Sequence, residues 1–350
     1  MRIAQIAPLH EAVPPRLYGG TERIVAYLTD GLVARGHDVT LFASADTQTG
    51  ARLVPVRERA IRLDPRPLIS GHAAHLSMLD EVRRRADSFD ILHFHIDLMH
   101  FPFFESLAGR TVTTLHGRLD IGDLAGAYAR WPGYPLVSIS DAQRRFLPDA
   151  SWLGTVHHGV PADLFQPSPR SGSYLAFLGR ISPEKRPDRA IAVAARSGMP
   201  LRIAAKIDPV DQAYWDEVIA PLVAAHANVE FIGEIGDADK SAFLGGAAAL
   251  LFPIDWPEPF GLVMIEAMAC GTPVIAWKNG SVPEVIEQGV TGHVVSSEDE
   301  AIAAVRTLDR LDRAAIRRVF ERRFSTEVMT AAYEDLFKGL LERAAMTRAA

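Results

Sequence analysis

Cysteine is almost absent from this sequence, because Cys270 is the one thiol among 350 residues. A single cysteine excludes an internal disulfide and any zinc site that is built from several cysteines. An excess of basic residues is also missing, since the formal net charge is −6. Proteins that bind nucleic acid usually carry a basic domain, so we expect no nucleic-acid partner.

Long hydrophobic runs are missing as well. No apolar stretch reaches the ~20 residues that a membrane-spanning helix requires. Residues 1–7 already follow a strand pattern, which leaves no room for a signal peptide. We therefore expect a cytoplasmic protein, and a content of 48% hydrophobic and 23% charged residues is ordinary for a globular one.

The order of the apolar patterns predicts an α/β fold. Short strand-like runs alternate with longer helical patterns, which is typical of parallel sheets. The strand-like runs of the first half are residues 2–7, 38–43, 90–94, 111–115 and 136–139. Those of the second half are residues 174–178, 201–205, 229–232, 249–252 and 273–276.

Chain length and one linker predict the domain organisation. A chain of 350 residues exceeds one usual core, and residues 166–173 are rich in proline, serine and glycine. We therefore expect two Rossmann-like domains, residues 1–168 and 169–325, with a helix at about 326–345 that packs back on the first domain. The apolar positions of that helix are Val328, Ala332, Leu336 and Leu340.

The position of a ligand site follows from the predicted sheets. Open parallel sheets bind ligands beyond the carboxyl ends of their strands. Two such sheets are expected to face each other across an interdomain cleft, a usual place for a small-molecule site. The fold gives a location and no chemistry, because one fold hosts many functions.

Residues 257–275 carry the strongest chemical signal. Glu258 follows a predicted strand and lies in a loop, and Gly261 allows a close approach of the backbone to a ligand. A helix begins near Gly261, and its free amides and positive dipole end can hold a diphosphate. Glu266, further along this helix, can accept two hydrogen bonds from a ribose diol. When each carboxylate is considered alone, the alternative for Glu258 is a turn carboxylate and the alternative for Glu266 is a solvated helix face.

Two cations follow the first strand of the second half. Arg180 follows the strand-like run 174–178, and Lys185 precedes the next helical pattern. Both can face the phosphates of a nucleotide and neutralise charge on a leaving group. A solvated pair of surface cations is the alternative when these residues are considered alone.

Here the sequence resembles a known family. Two glutamates eight positions apart, Glu258 and Glu266, with a Pro-Phe-Gly-Leu segment between them, resemble the signature of retaining GT-B glycosyltransferases of family 4. Residues 19–22, 178–185, 280–284 and 289–292 are similar to further landmarks of that family. The resemblance covers almost the whole chain and implies a GT-B fold and a hexosyltransferase.

The resemblance also implies roles for individual residues. Glu266 would bind the nucleotide ribose and Glu258 the transferred sugar, and Arg180 and Lys185 would hold the phosphates. His116 would contact the donor sugar, with its backbone carbonyl near the reacting carbon. The remaining donor-binding residues expected are Gly19, Gly20, Ile235, Phe260, Gly261, Leu262 and Val263, with Ile235 in a loop whose backbone reads the base.

The reaction implied is a same-face substitution that retains the anomeric configuration. The departing phosphate takes the proton of the acceptor, and the protein orients donor and acceptor. We expect no cofactor and no catalytic metal, since Asp237 and Asp239 stand at an apparent helix start, where capping explains them. The expected donor is a nucleotide-diphosphate sugar, by default a UDP-sugar. The acceptor, a sugar, a lipid or a small molecule, stays unidentified, and peripheral membrane contact stays open.

Several alternatives remain at this point. His93 and His95 share one face of a strand, and a structural role is favoured over an acceptor pocket, which is favoured over a metal site. Thr21 is expected to cap the first helix. For the whole chain, the rivals are another GT-B enzyme, such as a phosphorylase or a sugar-nucleotide epimerase, and a non-catalytic nucleotide-sugar-binding protein.

Overall fold

The computed structural model describes residues 1–16, 19–66, 68–170 and 172–349. Ser171, within the predicted linker, lies outside these ranges. The chain forms two compact units, Met1–Gly159 with Thr326–Ala350, and Val160–Ser325. The chain leaves the first unit after Gly159, earlier than the boundary at residue 168 expected from the sequence.

The first unit is built on a parallel sheet of apolar strands. Within the described ranges its strands are β1 (Arg2–Ile6), β2 (Asp38–Ser44), β3 (Arg52–Arg57), β4 (Ile91–Phe94), β5 (Thr111–Thr114), β6 (Leu136–Ser138) and β7 (Trp152–Thr155). Their order is β3-β2-β1-β4-β5-β6-β7, and every neighbouring pair is parallel. The order reverses between β1 and β4, which is the switch point of a doubly wound fold.

Helices connect these strands and cover the sheet. They are α1 (Gly20–Ala34), α2 (Gly71–Arg85), α3 (Phe101–Phe104), α4 (Leu124–Tyr128) and α5 (Asp141–Arg144). Ser140 caps α5, because its hydroxyl accepts a hydrogen bond from the N–H of Gln143 at 3.2 Å. The expectation that Thr21 caps α1 is wrong: the helix begins one residue earlier, at Gly20, and Gly19 holds the cap position.

The second unit repeats the same plan. Its described strands are β8 (Tyr174–Arg180), β9 (Leu201–Lys206), β10 (Val229–Gly233), β11 (Ala247–Phe252), β12 (Val274–Trp277) and β13 (Gly292–Val295). They lie in the order β10-β9-β8-β11-β12-β13 and are all parallel, so the switch point falls between β8 and β11. The helices are α6 (Pro187–Ser197), α7 (Gln212–Tyr214), α8 (Ala220–Ala225), α9 (Asp237–Gly245), α10 (Leu262–Ala269), α11 (Val282–Val285), α12 (Glu298–Val305) and α13 (Arg313–Arg323).

The last helix, α14 (Thr326–Ala349), belongs to the first unit, where it packs on α1. Its buried apolar side chains are Met329, Tyr333, Phe337 and Leu340. The expected face is therefore wrong at Val328, which is 37% exposed, because the buried side chain lies one position later, at Met329. No helix among the described residues is long and apolar enough to cross a membrane.

Candidate active site

An ion pair lies at the switch point of the second sheet. The chain leaves β8 into a short 3₁₀ turn, Pro183–Lys185, and leaves β11 into the loop that carries Glu258. The ammonium group of Lys185 donates to Oε2 of Glu258, and the two side chains are only 17% and 11% exposed. The ring of Trp256 lies 4.9 Å from the same ammonium group, a cation–π contact. A partly buried cation and carboxylate thus meet where open parallel sheets bind ligands.

The backbone of Glu258 is held by the segment that follows β12. The N–H of Ser281 donates to the carbonyl of Glu258 at 3.0 Å, and the hydroxyl of Ser281 donates to the carbonyl of Phe260 at 2.7 Å. Gly280 has φ +50°, and a Cβ atom there would lie 2.8 Å from the carbonyl carbon of Pro257. Residues 280–284 therefore support the glutamate loop, a role that the sequence pattern alone did not indicate.

Gly261 is required by the local backbone. Its φ is +82°, and a Cβ atom there would lie 2.9 Å from both the Cε atom of Met264 and the ring of Phe252. The sequence suggested close approach to a ligand as the reason for this glycine, and the structure gives a conformational and packing reason. Helix α10 begins directly after it, so Leu262 and Val263 lie in the first turn, where N–H groups lack intrahelical acceptors.

Glu266 has a cationic partner that the sequence analysis missed. Its Oε1 accepts a hydrogen bond from Nζ of Lys240 at 3.1 Å, and the two side chains are 5% and 15% exposed. The same ammonium group lies 3.3 Å from Oδ1 of Asp237, in the first turn of α9. Asp237 and Asp239 stand in the first turn of this helix, as predicted, and Gly236 holds the cap position. The one available signal was a lysine three positions after Asp237, on the same helix face.

Arg180 is surrounded by carboxylates at the end of β8. Its guanidinium contacts Glu184 at 2.8 Å, Asp208 at 3.5 Å and Asp211 at 3.7 Å. An anionic ligand would therefore have to share this cation with protein acids. Ile235 lies half-buried in the loop between β10 and α9, beyond the carboxyl end of an edge strand.

In the first unit, the predicted glycines lie where the chain enters α1. A Cβ atom on Gly19 would lie 2.7 Å from the Cβ atom of Pro15, so the close packing against Pro15 requires a residue without a side chain. Gly20 is the first residue of α1. Glu22, in the first turn, is buried, and burial raises the pKa of its carboxyl group.

The predicted His116 lies in a chain of hydrogen bonds between adjacent strands. Oε1 of Gln5 on β1 lies 2.7 Å from Nε2 of His95, and Nδ1 of His95 lies 2.8 Å from Nε2 of His116. The ring of His158 stacks on that of His116 at 5.2 Å. Desolvation lowers the pKa of His116 to about 3, so this imidazole stays neutral at physiological pH.

His93 and His95 have structural surroundings. Nε2 of His93 lies 2.8 Å from Oγ1 of Thr114, which in turn lies 2.9 Å from the hydroxyl of Tyr333 on α14. Burial lowers the pKa of both imidazoles well below the usual value. Over the residues that the structure describes, no group of three or more His, Cys, Asp or Glu side chains could hold a metal ion.

Two family models match the chain. The model described as Glycosyltransferase Family 4 matches residues 18–196, and the model described as Glycosyl transferases group 1 matches residues 165–314. A phosphatidyl-myo-inositol mannosyltransferase of Mycobacterium leprae is 28% identical over 334 residues, which span 87% of this chain and 86% of the relative.

Solved structures share the fold over nearly the whole chain. AviGT4, a glycosyltransferase involved in avilamycin A biosynthesis, is 25% identical and superposes with a TM-score of 0.71 over 97% of this chain and 98% of that one. Anabaena HepE, solved in complex with UDP and glucose, is 19% identical with a TM-score of 0.76, covering 97% and 100% of the two chains.

Proposed function

Because this chain belongs to glycosyltransferase family 4, we propose that it transfers a sugar from a nucleotide-diphosphate donor with retention of anomeric configuration and without a catalytic metal. It has the GT-B fold and is a hexosyltransferase-type glycosyltransferase. The observation that carries the finer proposal is the Lys185–Glu258 pair at the switch point between β8 and β11.

The proposed phosphate site uses Lys185, Arg180 and the start of α10. An ammonium group has three N–H donors, so Lys185 can hold Glu258 and a phosphate oxygen together. At ~4 Å and an effective dielectric constant of ~20, one ion pair contributes on the order of 4 kcal/mol before desolvation. Two cations and the free amides of Leu262 and Val263 would offset much of the charge on the leaving diphosphate.

The two glutamates would divide the donor between them. Glu258 accepts hydrogen bonds from hydroxyls of the transferred sugar, and Glu266 accepts them from the ribose. Lys240 supports the second role, because it keeps a nearly buried carboxylate ion-paired. Phe260 and Gly261 shape the loop between the glutamates, and the backbone near Ile235 contacts the base.

The first unit would contribute Gly19, Gly20 and His116 to the donor sugar. His116 acts as a neutral group, which its lowered pKa supports. In the proposed step, the bond between the anomeric carbon and the diphosphate oxygen breaks, and the acceptor oxygen bonds to the same face of that carbon. The acceptor proton passes to the leaving phosphate oxygen. Glu258 is a poor nucleophile in this arrangement, because Lys185 already engages its carboxylate.

The first donors and acceptors to test follow from the family and from the name of a relative. A UDP-sugar is the first donor to test, and a nucleoside-diphosphate mannose is the second, because a relative is named a mannosyltransferase. The acceptor is a sugar, a lipid or a small molecule, and the relative's name makes phosphatidyl-myo-inositol the first lipid to test. Liposome flotation tests the peripheral membrane contact.

Product analysis by NMR tests the reaction. The protein is incubated with a panel of nucleotide sugars and acceptors, with and without a chelator. We expect a product with the anomeric configuration of the donor, at a rate that the chelator does not change. An inverted product, or activity that magnesium restores after chelation, contradicts the proposal. Donor binding without turnover of any kind would point instead to a nucleotide-sugar-binding protein.

A further inference from the structure

A buried glutamine clamps the backbone on both sides of His116. Gln143, on α5, is 3% exposed. Its Nε2 donates to the carbonyl of Leu115 at 2.9 Å and to the carbonyl of Gly117 at 2.9 Å. Its Oε1 accepts a hydrogen bond from the N–H of Ile139 at 3.0 Å. The side chain therefore makes three hydrogen bonds, all of them to the main chain.

The chemistry of these partners fixes the orientation of the amide. Backbone carbonyls only accept and a backbone N–H only donates, so rotating the amide by half a turn would lose all three bonds. The N–H of Gln143 is itself held by the hydroxyl of Ser140 at 3.2 Å. Both ends of this residue are thus fixed, and the position of the segment after β5 is fixed with them.

The side-chain amide of Gln143 binds the carbonyl groups of Leu115 and Gly117 but not the carbonyl group of His116, which lies between them. Among the described residues, the carbonyl oxygen of His116 accepts no hydrogen bond. The imidazole of the same residue is held separately, by His95 at 2.8 Å and by the stacked ring of His158. Main chain and ring are therefore fixed independently, with one carbonyl oxygen available at the carboxyl end of β5.

We propose that Gln143 is a positioning residue that aims the His116 carbonyl at the donor sugar. The inference rests on the proposed function, in which His116 contacts that sugar. Transfer builds positive charge at the anomeric carbon, and a carbonyl oxygen stabilises that charge only if its position is set before the reaction. A displacement of ~1 Å can cost on the order of a hundredfold in rate.

The substitution Gln143→Met tests this role, because methionine has a similar length and donates no hydrogen bond. We expect kcat to fall by about tenfold or more. We also expect weaker binding of the nucleotide sugar by calorimetry, with binding of the free nucleoside diphosphate unchanged. If the methionine variant does not fold, Gln143→Glu is the second test variant. The glutamate carboxylate still accepts a hydrogen bond from the N–H of Ile139 but, when ionised, donates none to the carbonyls of Leu115 and Gly117.

Asn228 provides a matched control. Its Nδ2 donates to the carbonyls of Ala194 at 3.1 Å and Met199 at 2.9 Å, at the amino end of β10, the opposite edge from the ligand site of a parallel sheet. Asn228→Leu removes the same type of double donation. We expect it to lower the melting temperature and to leave kcat and nucleotide-sugar binding unchanged.

The outcomes separate this inference from the proposed function. An unchanged kcat in the Gln143 variants, or equal weakening of nucleotide and nucleotide-sugar binding, overturns the positioning role. If the parent protein binds nucleotide sugar but never turns it over, the proposed function is wrong. The role of Gln143 is then decided by whether its substitution weakens the binding of nucleotide sugar more than the binding of free nucleoside diphosphate. A parent that binds no nucleotide sugar overturns both.

Discussion

Lys185 and Glu258 form an ion pair although they lie in separate loops, one after β8 and one after β11. The pair exists because β8 and β11 are neighbours at the one place where the strand order reverses. The lysine neutralises a carboxylate that would otherwise repel a diphosphate. In the proposed function it also has donors for that diphosphate, so one side chain would serve both the sugar-binding acid and the leaving group.

We expect Lys185→Ala to lower turnover by about a hundredfold, because the cation acts mainly on charge that develops on the leaving phosphate. Binding of the uncharged nucleoside should change little. Steady-state kinetics and calorimetry measure the two quantities. Lys278→Ala, at an exposed lysine of the same unit, is the control and should match the parent. Equal kinetics in the Lys185 variant and the parent would remove the proposed role.

Two glycines with positive φ allow a matched test of the glutamate loop. A Cβ atom on Gly280 would overlap the backbone of Glu258 and lie 2.8 Å from the carbonyl carbon of Pro257, whereas one on Gly289 would meet no atom within 4 Å. We expect Gly280→Ala to displace Glu258 and to lower kcat at least about tenfold. Gly289→Ala should cost only the backbone strain, about 1 kcal/mol, without a change in kcat. Similar kinetics for the two variants would show that residues 280–284 do not support the site.

Sequence patterns predicted the sheets well where strands are buried. The strands missed from the sequence, β3, β7 and β13, all lie at sheet edges. Strand β3 contains Pro55 and begins and ends with Arg52 and Arg57, so its half-exposed pattern lacks the apolar run of a central strand. Central strands are recognisable because burial on both faces gives them a continuous apolar run, and these three edge strands lack such a run.

The positions of the candidate residues at strand ends were predictable from the sequence, but their partners were not. Glu258 and Lys185 each follow a strand, and strand ends converge in a parallel sheet. Lys240 and Gln143 gave no such signal, because they reach their partners from neighbouring helices. Residues 280–284 resembled a family landmark, yet their contact with the Glu258 loop depends on the register between β11 and β12. Such contacts follow from packing and leave no periodic pattern in the sequence.

The Lys240–Glu266 pair predicts a stability effect. Removing Lys240 leaves a nearly buried carboxylate without its cation, and breaking such a pair typically costs about 3 kcal/mol or more. We expect Lys240→Met to lower the free energy of unfolding by this amount in urea denaturation, and Lys240→Met with Glu266→Gln to recover part of it. Arg196→Met, which breaks an exposed pair with Asp299, is the control and should cost less than about 1 kcal/mol. A loss in Lys240→Met as small as that of the control would contradict a buried, energetically coupled pair.

Buried histidines of the first unit predict a loss of stability in mild acid. Burial lowers the pKa of five imidazoles that are largely or fully desolvated. They are His93, His95, His100, His116 and His158. Unfolding restores a pKa of about 6.5, so the unfolded chain binds more protons than the folded one below that pH. Stability therefore rises with pH in this window and falls on acidification.

The expected slope between pH 7 and pH 5 is the sum of these contributions, each at most about 1.4 kcal/mol per pH unit. Asp97 opposes it, because burial raises the pKa of its carboxyl to about 6 and the folded protein takes up that proton. Urea unfolding at several pH values measures the slope. His100→Gln should reduce the slope, because it removes one of the buried imidazoles, which contacts Phe94 and Thr113. His72→Gln, at an exposed histidine, is the control. A free energy of unfolding that stays constant or rises from pH 7 to pH 5 would contradict the net effect expected from these imidazoles.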